Sequence, residues 1–142
     1  DETMKQTITG ALRKLGLASI VMSEELKQGR KIIDAFTKDY ADVRFALVLL
    51  SPDLYCYPKG EEATKRERTP KQDVTLMLGF LLGKLGKERV LAFYRESPNF
   101  TFPNDFEVIK FTALDDRDSW KHALIRELTS HGYTVDAERL LR

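Results

Sequence analysis

Apolar positions along the chain recur with two alternating periods, one helical and one extended, from end to end. Asp1 precedes a stripe of Met4, Ile8, Ala11, Leu12 and Leu15 at helical spacing, closed by Gly16, which predicts a capped amphipathic helix. Ser19 to Met22 (SIVM) follows as a short β-branched run and predicts a strand. A polar stretch from Ser23 to Gln28 leads through Gly29 into a second helix, with Ile32, Ile33, Phe36 and Tyr40 on one face. Arg44 to Leu50 (RFALVLL) is almost continuously apolar, the pattern of a strand covered on both faces. Ser51-Pro52-Asp53 ends it, and a long loop runs to Thr69. Thr69, Pro70 and Gln72 match a capping box with proline at the first helical position. The helix they would open carries the stripe Val74, Met77, Leu78, Leu81, Leu82 and Leu85. Arg89 to Tyr94 (RVLAFY) is the next strand and Val108 to Phe111 (VIKF) a weaker one. Asp118 or Ser119 caps a last helix that turns Trp120, Leu124, Ile125 and Leu128 inward. The tail from Tyr133 fits either a short strand with a helical turn or a linker.

Strands separated by helices predict an α/β fold, a doubly wound parallel sheet with helices on both faces. Such a sheet places its site at the carboxyl ends of its strands. Here those ends are Met22-Ser23, Leu50-Ser51 and Tyr94-Arg95. The chain starts directly on a helix, as though a strand lay before Asp1.

At 142 residues the chain has the size of one domain. Its 23 basic and 22 acidic residues give a formal net charge of +1, so no global field recruits nucleic acid or an anionic membrane. The single cysteine, Cys56, forms no internal disulfide and suits a reducing, cytoplasmic compartment. His122 and His131 form no metal-ligand cluster with it, and no apolar run reaches the length of a membrane span.

Three segments offer candidate chemistry. In the loop from Ser51 to Lys71, Tyr55 and Tyr57 offer ring faces, and Lys65, Arg66 and Arg68 offer positive charge; Glu61, Glu62 and Glu67 compensate that charge, which equally fits a solvated excursion. Beyond Gly29, the N–H groups of a helix start together with Arg30 and Lys31 suit an anion, or equally a cap with solvent-facing charges. Gly79 and Gly83 lie on one side of their helix, where they would admit a close neighbour. By periodicity Met77 is a core residue. No nucleophilic triad and no phosphate-binding loop of the P-loop type is present. The residues alone imply an α/β domain with a small-ligand crevice.

The succession DE, KLGL, GRKIIDAF, FALVLLSPD, QDVTLMLGFLLGKLGKERV, SWKHALIREL and HGYTVD resembles the bacterial TIR-like predicted nucleotide-binding domains, the TIR effectors of cyclic-oligonucleotide antiphage defence systems. The resemblance covers nearly the whole chain and is most specific from Gln72 to Val90. It implies a flavodoxin-like fold and self-association triggered by a sensor domain, fused or separate. It also implies cleavage of the nicotinamide–ribose bond of NAD⁺, without a metal and without direct binding of nucleic acid.

Two departures qualify those implications. The family begins with a strand ending in His-Gly just before acidic residues that match Asp1 and Glu2. In the flavodoxin-like order that strand lies between the strands expected at Ser19 to Met22 and Arg44 to Leu50. Its absence implies a single TIR-like domain, residues 1–142, excerpted from a longer protein, or a strand supplied by another segment. The second departure is chemical: where the family has Gln-Asn-Val, two apolar residues and Glu-Leu-Gly, this chain reads Gln72-Asp73-Val74-Thr75-Leu76-Met77-Leu78-Gly79. Met77 thus stands at the catalytic glutamate position, and a thioether has neither charge nor a strong acceptor. Losing one such electrostatic group costs about 10²–10³ in rate.

Three functions follow as expectations. The first is a nucleotide-binding effector domain of NAD⁺ glycohydrolase ancestry with impaired catalysis. The second is an active glycohydrolase whose carboxylate is Asp73, Glu24 or a partner's, and the third an oligomerisation scaffold. The expected nucleotide-binding residues are Asp1, Glu2, Gly29, Arg30, Ser51 and Met77, with Asp73 as the weak substitute acid.

Overall fold

The structure, a computed structural model, describes residues 1–22, 34, 42–61, 66–102 and 110–142. Helix α1 (Glu2–Lys14) begins where the sequence places it: the Asp1 carboxylate accepts from the Met4 N–H at 3.1 Å, satisfying one of the otherwise unpaired donors of the first turn. Strand β1 (Ala46–Leu50) leads into a small antiparallel hairpin, β2 (Leu54–Cys56) with β3 (Glu67–Thr69). Then come α2 (Gln72–Leu85), a 3₁₀ turn (Lys87–Arg89), β4 (Val90–Tyr94), β5 (Lys110–Ala113), α3 (Ser119–Ser130) and α4 (Ala137–Leu141).

The main sheet runs β1-β4-β5, all parallel, with Ala46 opposite Val90, Leu50 opposite Tyr94 and Tyr94 opposite Ala113. Helices cover both faces, because each pleated face presents alternate apolar side chains that must be buried. On one face α1, α3 and α4 bury Met4, Ile8, Leu12, Leu15, Trp120 and Leu124 with Leu91 and Phe93 of β4. On the other, α2 packs Leu78 and Leu81 on Val48, Leu50, Val90 and Ala92. A parallel α/β sheet layered between helices is the expected flavodoxin-like, TIR-type fold.

Four expectations need correction. Residues 19–21 have no regular structure and Met22 is helical, so the strand expected at 19–22 is absent. Among the described residues the segment has no ladder neighbour; it lines the same cleft as β1, and β propensity alone does not hold a strand without a partner about 4.7–4.9 Å away. The supposed capping box at Thr69 fails because Thr69 is committed to β3; α2 starts at Gln72 with Lys71 as N-cap and no side-chain cap bond. The long loop is partly ordered into the hairpin. The weak strand is described at Lys110–Ala113, and residues 108 and 109 of the expected run lie outside the described residues. Gly79 and Gly83 are exposed, with nothing within 4 Å of where a Cβ would sit among the described residues, so they admit no close neighbour.

The tail resolves into a helical turn. The Asp136 N–H donates to the Leu15 carbonyl and Leu140 is buried on the α1–α3 core, which makes the tail part of the fold rather than a linker.

Candidate functional site

A cleft of about 820 Å³ lies beside β1, walled by α1 on one side and α2 on the other. Its two ends differ because both helices run antiparallel to the strands. At the carboxyl end of the sheet, the Asp1 carboxylate meets the Arg95 guanidinium just beyond β4, with Oδ2 to Nε at 3.0 Å. The first residues of α2 lie at that same end, because its last turn leads through Gly86 and the 3₁₀ turn into the start of β4. The mouth there is polar, lined by Asp1, Glu2, Ser51, Asp53, Lys71 and Asp73. Along the helices the lining also takes in the apolar Ile8 and Leu12 on α1 and Val74, Met77 and Leu81 on α2, with Lys5 and Thr9 interspersed on α1 and Asp42 and Arg44 lining the cleft elsewhere.

Local geometry fixes the mouth. Ser51 is buried where β1 ends, and its hydroxyl donates to Asp53 Oδ2 at 2.6 Å, while the Asp53 N–H donates to the Ser51 carbonyl at 2.9 Å. This tight turn replaces the ladder that stops at Leu50 and holds an exposed carboxylate over the cleft. Arg95 adds its own N–H to the Leu50 carbonyl at 3.2 Å. Lys5 pairs with Glu2 at 2.9 Å along the first turns of α1. Asp73 is exposed in the first turn of α2, where negative charge is favoured, and its Oδ1 accepts from the Val74 N–H at 3.0 Å.

Of the residues singled out in the sequence, Asp1, Glu2, Ser51, Asp73 and Met77 line this one cleft. Gly29, Arg30 and Glu24 lie outside the described residues, as do Lys31 and Lys65. Met77 is half-buried and packs with the core on the α2 face, so the periodicity and the family position describe the same side chain. Asp53 and Lys71 were not singled out, and Arg95 only as a strand end beside which such a site lies. The signal for Asp53 was present in Ser51-Pro52-Asp53, where a short acid follows a strand end by two residues, but only the fold shows that the turn projects it inward.

The hairpin loop behaves differently. The Arg66 and Arg68 guanidinium carbons sit 4.4 and 5.3 Å from the Tyr55 ring centroid, so that ring is already stacked by cations. Arg68 also donates to the Ser97 hydroxyl at 3.0 Å, and its backbone bonds to Asn99 and Thr101. Arg68 thus ties the hairpin to the segment after β4, while Lys65 lies outside the described residues. A second, smaller cavity of about 460 Å³ adjoins it, lined by Tyr94, Phe100, Phe102 and Glu96.

Among the described residues, no group of three or more His, Cys, Asp or Glu side chains is arranged to hold a metal ion. No described helix is long and apolar enough to cross a membrane.

Comparison with known proteins agrees with this architecture. The uncharacterised protein YuaY of Escherichia coli (strain K12) is 31% identical over 141 residues, which is 99% of this chain and 46% of that protein. Protein tirC of Dictyostelium discoideum is 24% identical over 108 residues, 72% of this chain and 54% of that protein. The chain thus spans about half the length of these relatives. No solved structure matches it. The family profile described as "CAP12/Pycsar effector protein, TIR domain" matches residues 1–116. Together with the helix-flanked parallel sheet, that match establishes that the chain belongs to the TIR effector domains of the CAP12/Pycsar family.

Proposed function

We propose that the polar mouth of the cleft binds a nicotinamide-type nucleotide, NAD⁺ in the first instance, and that the domain acts by binding and self-association with its glycohydrolase chemistry impaired. The reading is supported chiefly by Met77, which stands in the cleft wall between the acid-lined mouth and the apolar interior. Breaking a nicotinamide–ribose bond develops positive charge on the ribose, and a preorganised anionic oxygen stabilises it. The Met77 thioether supplies no such oxygen. The carboxylates of Asp1, Asp53 and Asp73 suit ribose hydroxyls as acceptors, and Lys71 suits a phosphate. The sensor that triggers assembly is either fused to this domain or a separate partner, in a cytoplasmic setting that the single exposed cysteine tolerates.

The test is nicotinamide release from NAD⁺ by the activated full-length protein, beside calorimetric binding. NAD⁺ is expected to bind with little release, and Met77→Glu is expected to raise release by about 10² or more. Release that Met77→Glu leaves unchanged refutes the impaired-enzyme reading. Absence of binding leaves the scaffold.

One observation favours a second reading, an active enzyme with a substitute acid: Asp73 and Asp53 line the same mouth as Met77. It predicts substantial release by the unaltered protein that Asp73→Asn or Asp53→Asn abolishes.

A further inference from the structure

We propose that β2 is a pairing edge for a second copy of this chain: the β2 strands of two copies hydrogen-bond antiparallel across a two-fold axis and join their hairpins into one sheet. Exposure marks the edge. Of the six large apolar side chains left exposed among the described residues, Leu54, Tyr55 and Tyr57 fall within four consecutive positions, and Cys56 between them is exposed too. That run, LYCY, carries no charge and no proline to protect an edge.

The ladder shows which backbone groups are offered. Arg68 of β3 donates its N–H to the Asn99 carbonyl and accepts from the Thr101 N–H, both at 2.7 Å, so both of its main-chain groups point away from β2. Tyr55 stands directly opposite Arg68. In an antiparallel ladder the members of such a pair exchange no hydrogen bonds, so the Tyr55 N–H and carbonyl point outward as well. Among the described residues neither group has a partner. Strand β3 is therefore bonded on both sides, by β2 and by residues 99–101, and β2 on one side alone.

This edge is complementary to itself. An outward N–H and carbonyl on one residue pair with the same two groups related by a two-fold axis, as in an antiparallel hydrogen-bonded pair. Charge sets the direction, because Asp53 precedes the apolar run and Lys59 follows it. Antiparallel strands bring each Asp53 to the end where Lys59 of the second copy lies, whereas parallel strands would set like charges together. Leu54 and Cys56 of one copy then cover Leu54 and Cys56 of the second on the same sheet face. Three residues make a short edge, so two such edges share few hydrogen bonds and pair only where copies are concentrated. That dependence suits assembly triggered by a sensor, and the proposal rests on the self-association reading but not on NAD⁺. Asp53 also lines the cleft mouth, so the joint lies directly beside the candidate site.

Cys56 reports the joint without any substitution, because antiparallel β2 strands bring the two Cys56 positions to within about 8 Å as opposite or diagonal neighbours. The full-length protein, half of it isotope-labelled, is treated with a short bis-maleimide at concentrations rising to about 1 mM, the effective concentration that tethering supplies. We expect peptides that join Cys56 of a labelled copy to Cys56 of an unlabelled one. They should fall about tenfold in Leu54→Lys, which charges the edge, and in Tyr55→Pro, which removes the outward N–H and keeps the hairpin's own bonds. Far-UV circular dichroism and the rate at which a monofunctional maleimide labels Cys56 should stay unchanged in both variants. Cross-links that survive both substitutions come from collisions and overturn the proposal. Self-association in the ultracentrifuge without Cys56 cross-links also overturns it, and leaves the self-association reading standing on another surface. A protein that stays monomeric throughout overturns both.

Discussion

Strands β1 and β4 carry nearly the same composition, ALVLL and VLAFY, and pair with each other residue by residue. Yet β4 is enclosed, with Ala92 and Phe93 at 0% exposure, while β1 is covered on its faces and open along one side. An apolar sequence therefore states a demand for burial, and the neighbours decide how far it is met. Among the described residues, the side of β1 that pairs with no strand also lines the candidate site.

The largest expected effect breaks the enclosed side of this comparison. Phe93→Ala removes a ring packed edge-on against Trp120 at 6.3 Å and is expected to cost about 3–5 kcal/mol in denaturant unfolding. Leu49→Ala on β1 is expected to cost less, about 1–2 kcal/mol, because its side chain is only half removed from water. Equal costs for Leu49→Ala and Phe93→Ala would remove the distinction.

A change of similar or smaller size probes what holds the mouth of the cleft. Asp1→Ala loses both the cap of α1 and the Arg95 pair, and should cost about 0.5–2 kcal/mol, mostly through the cap, since the pair is partly exposed. Asp1→Asn, which keeps a capping oxygen, should recover most of it.

The smallest effect has the opposite sign and tests the outward side of α2. Gly79→Ala and Gly83→Ala should each stabilise by about 0.5–1 kcal/mol, since both positions are helical and open. Destabilisation in the full-length, assembled protein, with stabilisation in the domain alone, would show that a partner packs closely on that face.

Much of the fold was legible because it depends on local periods. The stripe Met4, Ile8, Ala11, Leu12, Leu15 is buried, and the run through Leu50 and the run through Tyr94 are the paired strands β1 and β4. The failures were those of partnership. SIVM has strand-forming residues but no ladder beside it, and Thr69 has a capping side chain but is used by β3. The glycines of α2 suggested close packing, yet they face open space. For the site, family spacing singled out Met77 and Asp73, and both line the cleft; Asp53 required the turn made by Ser51.

By itself the sequence determined the fold class, the alternating elements and the absence of a carboxylate at position 77, since each depends on residue type and short-range spacing. Only the tertiary structure decided that Asp1, Ser51, Asp53, Asp73 and Met77 share one cleft and that, among the described residues, β1 pairs on one side alone. Those facts depend on contacts between segments far apart in the chain. The pattern along a strand states which faces are apolar, but it does not say how many neighbours the sheet provides.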